Sequence, residues 1–158
     1  MVNWTREDRP LVAASEFRNG IPIEQRPDAF GATDPCLLVD GSDVHLYYAG
    51  LHCSDENCKF QILRSTSKDG GATFSPGEVV LSGRPENPEE AGGVAGPTIA
   101  KLKEEYVLLY TAVREVPQKQ LLSIRHALTT GTVGIATSSD GKHFRPNKPD
   151  GSPLLSRL

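Results

Sequence analysis

The chain has 158 residues and a formal net charge of −3, with 17 Lys and Arg against 20 Asp and Glu. Apolar residues make up 37% and charged residues 23%, as in ordinary globular chains, and no apolar run approaches the roughly 20 residues of a membrane span. These values exclude a disordered chain and a collagen-like fibre. Without a basic excess, we expect neither nucleic acid nor a membrane as a partner.

The first predicted unit contains four short strands, at residues 36–39, 44–49, 60–65 and 78–81. Apolar and aromatic residues dominate them, and Asp-Gly turns begin at Asp40 and Asp69. No segment has a convincing helical period of 3.6 residues, so we predict an all-β fold.

Three cysteines lie in this unit: Cys36, Cys53 and Cys58. An odd number in a chain whose N-terminus lacks the apolar core of a secretory signal favours reduced thiols and a cytoplasmic protein. Cys36 is predicted to be a small buried hydrophobic residue. For Cys53 and Cys58 the favoured interpretation is two unpaired thiols, with a loop disulfide or a zinc site as alternatives. No metal and no cofactor is predicted.

The second predicted unit repeats the first. Gly31 and Pro35 recur as Gly93 and Pro97, 62 residues later, and each pair is followed by an apolar strand. The predicted strands of this unit are residues 98–101, 106–112, 133–137 and 153–155. Its longer connection between strands two and three contains residues 121–128, for which a short helix and a strand suit the sequence equally well.

Each unit carries the same short motif between its third and fourth strands. Residues 67–74 fit the Asp-box pattern Ser-x-Asp-x-Gly-x-Thr-aromatic, and residues 138–144 are a version one residue shorter. In such a turn the carboxylate accepts backbone N–H hydrogen bonds and a glycine adopts a positive φ angle. We therefore predict structural roles for Asp69 and Asp140.

A unit of four short strands in about 70 residues is typical of a β-propeller blade. Trp4 lies 70 residues before Phe74. Residues 1–27 are therefore predicted to be the last strand of a preceding blade and its crossover, residues 28–82 the first full blade and residues 83–158 the second.

One chain thus supplies an incomplete propeller, because most propellers have about four blades or more. Two open blades would expose sheet faces and edges. We predict a homo-oligomer in which further copies complete the ring. A remnant of a longer propeller is the alternative.

Three segments carry a resemblance to known proteins: Asp34-Pro35 before the first strand, residues 46–50 and residues 135–144. Together they resemble the five-bladed propeller glycosidases, which include glycoside hydrolase families 43, 32 and 62 and uncharacterised relatives. The similarity extends over about residues 28–155. It implies a carbohydrate ligand and hydrolysis of a glycosidic bond.

Glycoside hydrolysis uses two carboxyl groups roughly 5–10 Å apart. The resemblance implies that Asp34 is one of them, since the Asp of this Asp-Pro step is a catalytic carboxylate in those families. The matching position of the second unit is Gly96, so a second acid would have to come from elsewhere. Glu115 is the main candidate, Glu89 and Glu90 are further acids on the same face, and another chain could also supply it. A turn-capping role for Asp34 and a solvated position for Glu115 are the structural alternatives.

Four further residues on the long loops are candidates for binding substrate: Glu90, Arg114, Arg125 and His126. The three cationic or imidazole side chains could donate hydrogen bonds to sugar hydroxyls or to a carboxylated sugar, and solvated loop residues are the alternative. By contrast, His45 is predicted to be a packed, hydrogen-bonded strand residue. The tyrosines predicted to be core residues are Tyr47, Tyr48, Tyr106 and Tyr110.

A non-catalytic carbohydrate-binding or scaffolding half-propeller is the competing interpretation. Gly96, in the position where an acid would be expected, favours it. The short chain favours it as well.

Overall fold

The computed structural model describes residue 22 and residues 25–53, 57–115 and 131–147. The strands in these residues are β1 (Gly31–Asp40), β2 (Asp43–Cys53), β3 (Cys58–Ser67), β4 (Glu78–Ser82), β5 (Gly93–Leu102), β6 (Glu105–Val113), β7 (Thr132–Ser138) and β8 (Arg145–Pro146). The predicted all-β fold is confirmed. No helix in the described part of the chain is long and apolar enough to cross a membrane.

The strands form two antiparallel units, which we call the first and second blades. In the first blade β1 pairs with β2, β2 with β3 and β3 with β4. In the second, β5, β6, β7 and β8 pair in the same order. A single parallel pair, Phe60 with Gly93, joins the two. The predicted strand at 153–155 and the segment 121–128 lie outside the described residues.

The first strand of each blade begins five residues earlier than the sequence predicts. A shift in register encloses Asp34-Pro35 in β1 and Gly96-Pro97 in β5. Proline has no N–H to donate to the ladder, and a bulge allows pairing to continue on both sides of it. The residue before each proline has a positive φ angle, 54° at Asp34 and 57° at Gly96. The two blades therefore share one backbone irregularity at equivalent positions.

Each blade has two faces, because side chains alternate along a strand. The front face carries Leu46 in the first blade and Leu108 in the second, and the back face carries Tyr47 and Leu109, respectively. The main hydrophobic core lies between the back of the first blade and the front of the second. It consists of Tyr47, Ile62, Val80, Leu81, Val94, Ile99, Tyr106, Leu108, Tyr110, Ala112, Ala136 and Phe144.

A first polar contact between the blades involves the second Asp-box turn. The Tyr47 hydroxyl donates to the Gly141 carbonyl at 2.9 Å, and Arg64 donates to the same oxygen at 3.3 Å. Gly141 has a φ angle of 69°, and a Cβ added to it would lie 2.9 Å from the Tyr47 hydroxyl oxygen. This close approach requires glycine. We call the contact the Arg64 latch.

A second polar contact joins the first strands of the two blades, β1 and β5. Lys101 Nζ donates to both carboxylate oxygens of Asp40, at 2.8 and 2.9 Å, and the Tyr106 hydroxyl donates to Asp40 as well. Hydrogen bonds from Lys101 and then Tyr106 hold the pKa of Asp40 below its usual value. We call this contact the Asp40 latch.

The expectation of two unpaired thiols at Cys53 and Cys58 is wrong. These residues form a disulfide, because the antiparallel register of β2 and β3 places them directly opposite each other, with Cα atoms 4.0 Å apart. The expectation of a cytoplasmic protein rested in part on reduced thiols, and the disulfide removes that part of its support. Cys36 is the free cysteine, and it packs against the main core.

We expect a titration with a chromogenic disulfide to detect one reactive thiol per chain in the unfolded, unreduced protein. After reduction it should detect three. Replacing both Cys53 and Cys58 with Ser should lower the free energy of unfolding by about 2 kcal/mol, since the bond closes only a short loop. Cys36→Ser is the control: it should leave no reactive thiol before reduction. Three reactive thiols in the unreduced wild type would contradict the disulfide.

Candidate functional site

The candidate site lies at the end of the blades where β1 and β5 begin, which we call the loop-rich end. The segments before each blade, the β2–β3 connection and the residues after β6 all lie there. At the opposite end, two-residue turns join β1 to β2 and β5 to β6, and the connections at residues 68–77 and 139–144 join β3 to β4 and β7 to β8. Ligand-binding and catalytic residues concentrate on loops held by a rigid scaffold, and this end also carries the exposed residues Asp34, Arg114 and Glu115.

Asp34 is exposed and lies in the bulge of β1. The Thr33 hydroxyl donates to its Oδ1 at 3.2 Å. A non-glycine residue with a φ angle of 54° is uncommon, although Asp tolerates it better than most. Such a conformation costs on the order of 1 kcal/mol. Gly96 adopts it in the second blade without that cost, so the first blade retains a carboxylate where glycine would be less strained.

Glu90 is buried, with 3% of its side chain exposed. Its carboxylate accepts hydrogen bonds from Arg84 Nε at 2.8 Å, from Arg84 Nη2 at 2.6 Å and from the Tyr110 hydroxyl at 3.0 Å. Burial raises the pKa of Glu90, but the hydrogen bonds from Arg84 and Tyr110 outweigh it and hold the pKa below its usual value. These partners make Glu90 an anchor for the segment that leads into β5.

The first blade contains the same arrangement, which the sequence analysis missed. The Tyr48 hydroxyl donates to Asp28 Oδ2 at 3.0 Å, and Arg26 donates to Asp28 Oδ1 at 3.0 Å. Asp28 and Tyr48 lie 62 residues before Glu90 and Tyr110, the same offset that relates Asp34 to Gly96. A search for acids repeated at this offset would have found the pair.

These two acid–tyrosine pairs position the candidate site. In each blade the buried acid lies six residues before the bulge, at Asp28 for Asp34 and at Glu90 for Gly96. The tyrosine belongs to the second strand, which pairs with the bulged strand. The hydrogen bond therefore ties the entering segment to the sheet and limits where residue 34 or 96 can lie.

Arg114 and Glu115 follow β6 and are exposed. Arg114 Nε donates to Glu89 Oε2 at 3.1 Å, and Arg114 Nη2 contacts the other oxygen. This ion pair connects the end of β6 to the segment before β5. Two other predicted binding residues, Arg125 and His126, lie outside the described residues. The structure thus brings Glu90, Arg114 and Glu115 to the same end of the blades as Asp34.

The residues predicted to be structural are packed as expected. Four tyrosines are buried: Tyr47, Tyr48, Tyr106 and Tyr110. His45 is also buried, with its Nδ1 3.0 Å from the Thr66 hydroxyl oxygen, and burial lowers its pKa. In the residues that the structure describes, no three His, Cys, Asp or Glu side chains are grouped so that they could hold a metal ion.

The two Asp-box carboxylates are used within their own turns. Asp69 accepts hydrogen bonds from the Thr73 hydroxyl, from the Thr73 backbone N–H and from Ser67, which together lower its pKa to about 2. Asp140 accepts from the His143 side chain and from the backbone N–H groups of His143 and Lys142, and its pKa is also lowered. Neither carboxylate lies at the loop-rich end.

No protein-family model and no curated protein matches the chain. Solved structures do match it. A glycosyl hydrolase from Bacteroides ovatus is 21% identical, with 75% of this chain and 31% of that chain covered, at a TM-score of 0.56. A family 117 glycoside hydrolase from Zobellia galactanivorans is 17% identical (74% and 38% covered, TM-score 0.56). A family 32 β-fructofuranosidase from Bombyx mori is 23% identical (75% and 22% covered, TM-score 0.52).

These similarities show the fold. The predicted β-propeller architecture, incomplete in this chain, is confirmed, and the chain spans 31% of the length of the Bacteroides ovatus protein. The resemblance to propeller glycosidases is confirmed at the level of the fold, with family 32 among the similar structures. Membership of families 43 or 62 and the number of blades in the ring stay predictions.

We expect Glu90→Gln to lower the free energy of unfolding at pH 7 by about 2 kcal/mol, because it leaves the half-buried Arg84 without its counter-charge. The folded pKa of Glu90 is below its unfolded value near 4.5, so its stabilisation is present above that pH and is lost as the pH falls through the folded value. Urea denaturation at pH 7 and pH 3 should therefore show a smaller difference at pH 3. Glu104→Gln, in an exposed turn, is the control. An equal difference at both pH values would contradict the ion pair.

Proposed function

We propose that the chain is part of a carbohydrate-active propeller that hydrolyses a glycosidic bond, with Asp34 as one of two catalytic carboxylates. The observation that carries the proposal is the conformation of Asp34. An exposed carboxylate occupies a strained position in the first strand, at the loop-rich end of the blades.

Strained residues in well-packed structures cluster at functional sites. The second blade shows that this bulge does not need an acid, because Gly96 occupies it with a φ angle of 57°. Turn capping does not explain the choice of residue either, since within the described residues the Asp34 carboxylate accepts a hydrogen bond from the adjacent Thr33 hydroxyl and from no backbone N–H. A chemical role for the carboxylate accounts for both facts.

The nature of the similar proteins supports the reaction class. The three solved structures compared above are glycoside hydrolases, and one is a β-fructofuranosidase. In glycoside hydrolysis one carboxyl group protonates the departing oxygen, while the other attacks the sugar or activates water. Asp34 would be one of the two, and Glu115, exposed after β6, is the second candidate.

Substrate binding would use cationic side chains at the loop-rich end. Arg114 is exposed, and its ion pair with Glu89 limits the positions of its guanidinium group. A fixed guanidinium donates several hydrogen bonds in one plane, which suits sugar hydroxyls or a sugar carboxylate. Arg125 and His126, on the same connection, are proposed to contribute further donors. Glu90 would act through the loop that it anchors, because its carboxylate is already occupied by Arg84 and Tyr110.

A non-catalytic carbohydrate-binding or scaffolding half-propeller is the second candidate function. It is favoured by Gly96, since the second blade offers no carboxylate at the position equivalent to Asp34. One measurement distinguishes the two candidate functions. Saturable binding of glycans without turnover of any glycoside would support the non-catalytic one.

We expect Asp34→Asn to reduce the turnover of a panel of aryl glycosides by about 100-fold or more, because a catalytic carboxyl group contributes 10²–10⁴-fold. Asn also tolerates the left-handed conformation, so the fold should be retained. Asp34→Gly should lose activity equally while keeping the free energy of unfolding within about 1 kcal/mol of wild type, or raising it. Glu115→Gln tests the second carboxylate in the same assay. Undiminished activity in Asp34→Asn would remove Asp34 from the mechanism.

A further inference from the structure

Among the described residues, packing between the blades covers one face of each blade, and part of the other face stays exposed. On the front of the first blade, Leu46, Tyr48 and Leu63 are buried within the blade itself. On the front of the first blade, Leu37 is 60% and Val39 is 69% exposed. On the back of the second blade, Leu102 is 60% and Leu109 is 36% exposed. In the described residues no other blade packs on either face. Large apolar side chains exposed together mark an interaction surface.

The open front face is equivalent, position by position, to a face that is already packed. Leu37 corresponds to Ile99 and Leu46 to Leu108, each 62 residues later. Ile99 is only 8% exposed, because it belongs to the core between the blades. The front of the first blade therefore has the form of a surface that receives the back of a blade.

An apolar groove marks this surface. Its volume is about 570 Å³, and its lining includes Pro35, Leu37, Val44, Leu46, Tyr48 and Phe74. Phe74 belongs to the first Asp-box turn. Its counterpart in the second turn, Phe144, is 8% exposed in the core between the blades.

The Asp40 latch indicates which blade fits the groove. Inside the chain, Asp40 on a back face meets Lys101 and Tyr106 on a front face. The counterparts of these three residues, 62 positions away on the open faces, are Leu102, Val39 and Val44. The acid has become leucine on the open back face, and its lysine partner has become valine on the open front face. At the position of the Asp40 latch, the two open faces therefore carry apolar side chains in place of the acid and the lysine.

The residues of the Arg64 latch are also replaced by apolar residues on the open back face. Tyr47 and Arg64 are paired across β2 and β3, and their counterparts Leu109 and Ile135 are paired across β6 and β7. The back of the second blade therefore has apolar side chains where the back of the first has hydrogen-bond donors. An unpartnered charge buried at such a contact would be costly, so the apolar side chains at these positions of the back suit apolar side chains on the front that they meet.

We infer that copies of this chain associate head to tail, with the back of the second blade of one copy on the front of the first blade of the next. Leu102 then packs against Val39 and Val44 of its neighbour. A second copy is the occupant because the two open faces complement each other at the position of the Asp40 latch. A contact between two different faces produces a closed ring when the rotation that relates one copy to the next leads back to the first copy.

The inference does not depend on glycoside hydrolysis, and it is tested without substrate. We expect light scattering coupled to size exclusion, at tens of micromolar protein, to give at least twice the 17.1 kDa mass of one chain. Leu102→Asp and Val39→Lys should each raise the dissociation constant by about 10-fold or more, since each would bury an unpaired charge. Both side chains are exposed in a single copy, so circular dichroism should show an unchanged fold.

The double variant Leu102→Asp with Val39→Lys is the decisive measurement. It recreates across the interface the pairing that Asp40 and Lys101 make within the chain, so association should recover to within about 3-fold of wild type, a coupling of the kind seen for contacting residues. Glu86→Lys, in an exposed loop at the other end, is the matched charge control and should have no effect.

Three results would overturn the inference. A wild-type monomer at every concentration would assign the open faces to other blades. Association that survives both single variants would place the contact elsewhere. A double variant no better than the singles would show that residues 39 and 102 do not meet.

Discussion

A sheet with apolar side chains on both faces must be covered on both faces, and this constraint governs the rest of the molecule. Strand β2 carries Leu46 and Tyr48 on one side and Tyr47 on the other, all buried. The second blade covers the side with Tyr47 and thereby forms the main core. Burial of apolar surface stabilises a fold by about 25 cal/mol per Å², so the core between the blades stabilises their packing. The two polar latches join the same pair of blades at two further positions.

The same packing determines the geometry of the candidate site. The rings of Tyr48 and Tyr110 lie on front faces, while their hydroxyls reach the buried acids of the entering segments, Asp28 and Glu90. A buried carboxylate is tolerated only when it is paired and hydrogen-bonded. Each front face is therefore coupled to the segment that places the bulge of the first strand. On this shared scaffold the first blade presents Asp34 and the second presents a glycine, so the blades keep one structure but differ in chemistry.

Much of the fold could be predicted from the sequence because strand alternation and the 62-residue offset are visible in the residues themselves. The buried tyrosines followed from the same pattern. The extension of β1 past Pro35 could not, since a bulge depends on the register with β2. The Cys53–Cys58 disulfide required the register of β2 and β3, which sets the two residues opposite each other. The burial of Glu90 required Arg84 and Tyr110 to meet it from two different segments, and a solvated loop acid looks the same in sequence.

The exposure of Asp34 connects the assembly of blades to the chemistry. A general acid in glycoside hydrolysis needs a pKa raised toward neutrality, and burial is the usual means of raising it. Charge stabilisation in a transition state is likewise stronger where water is excluded. In a single copy the front of β1 is partly exposed, and Asp34 is exposed to solvent. A blade packed on that face would exclude water beside Asp34 and bring a second loop-rich end next to it. If that blade belongs to another copy, the second carboxyl group that works with Asp34 could come from that copy instead of from Glu115 of the same chain.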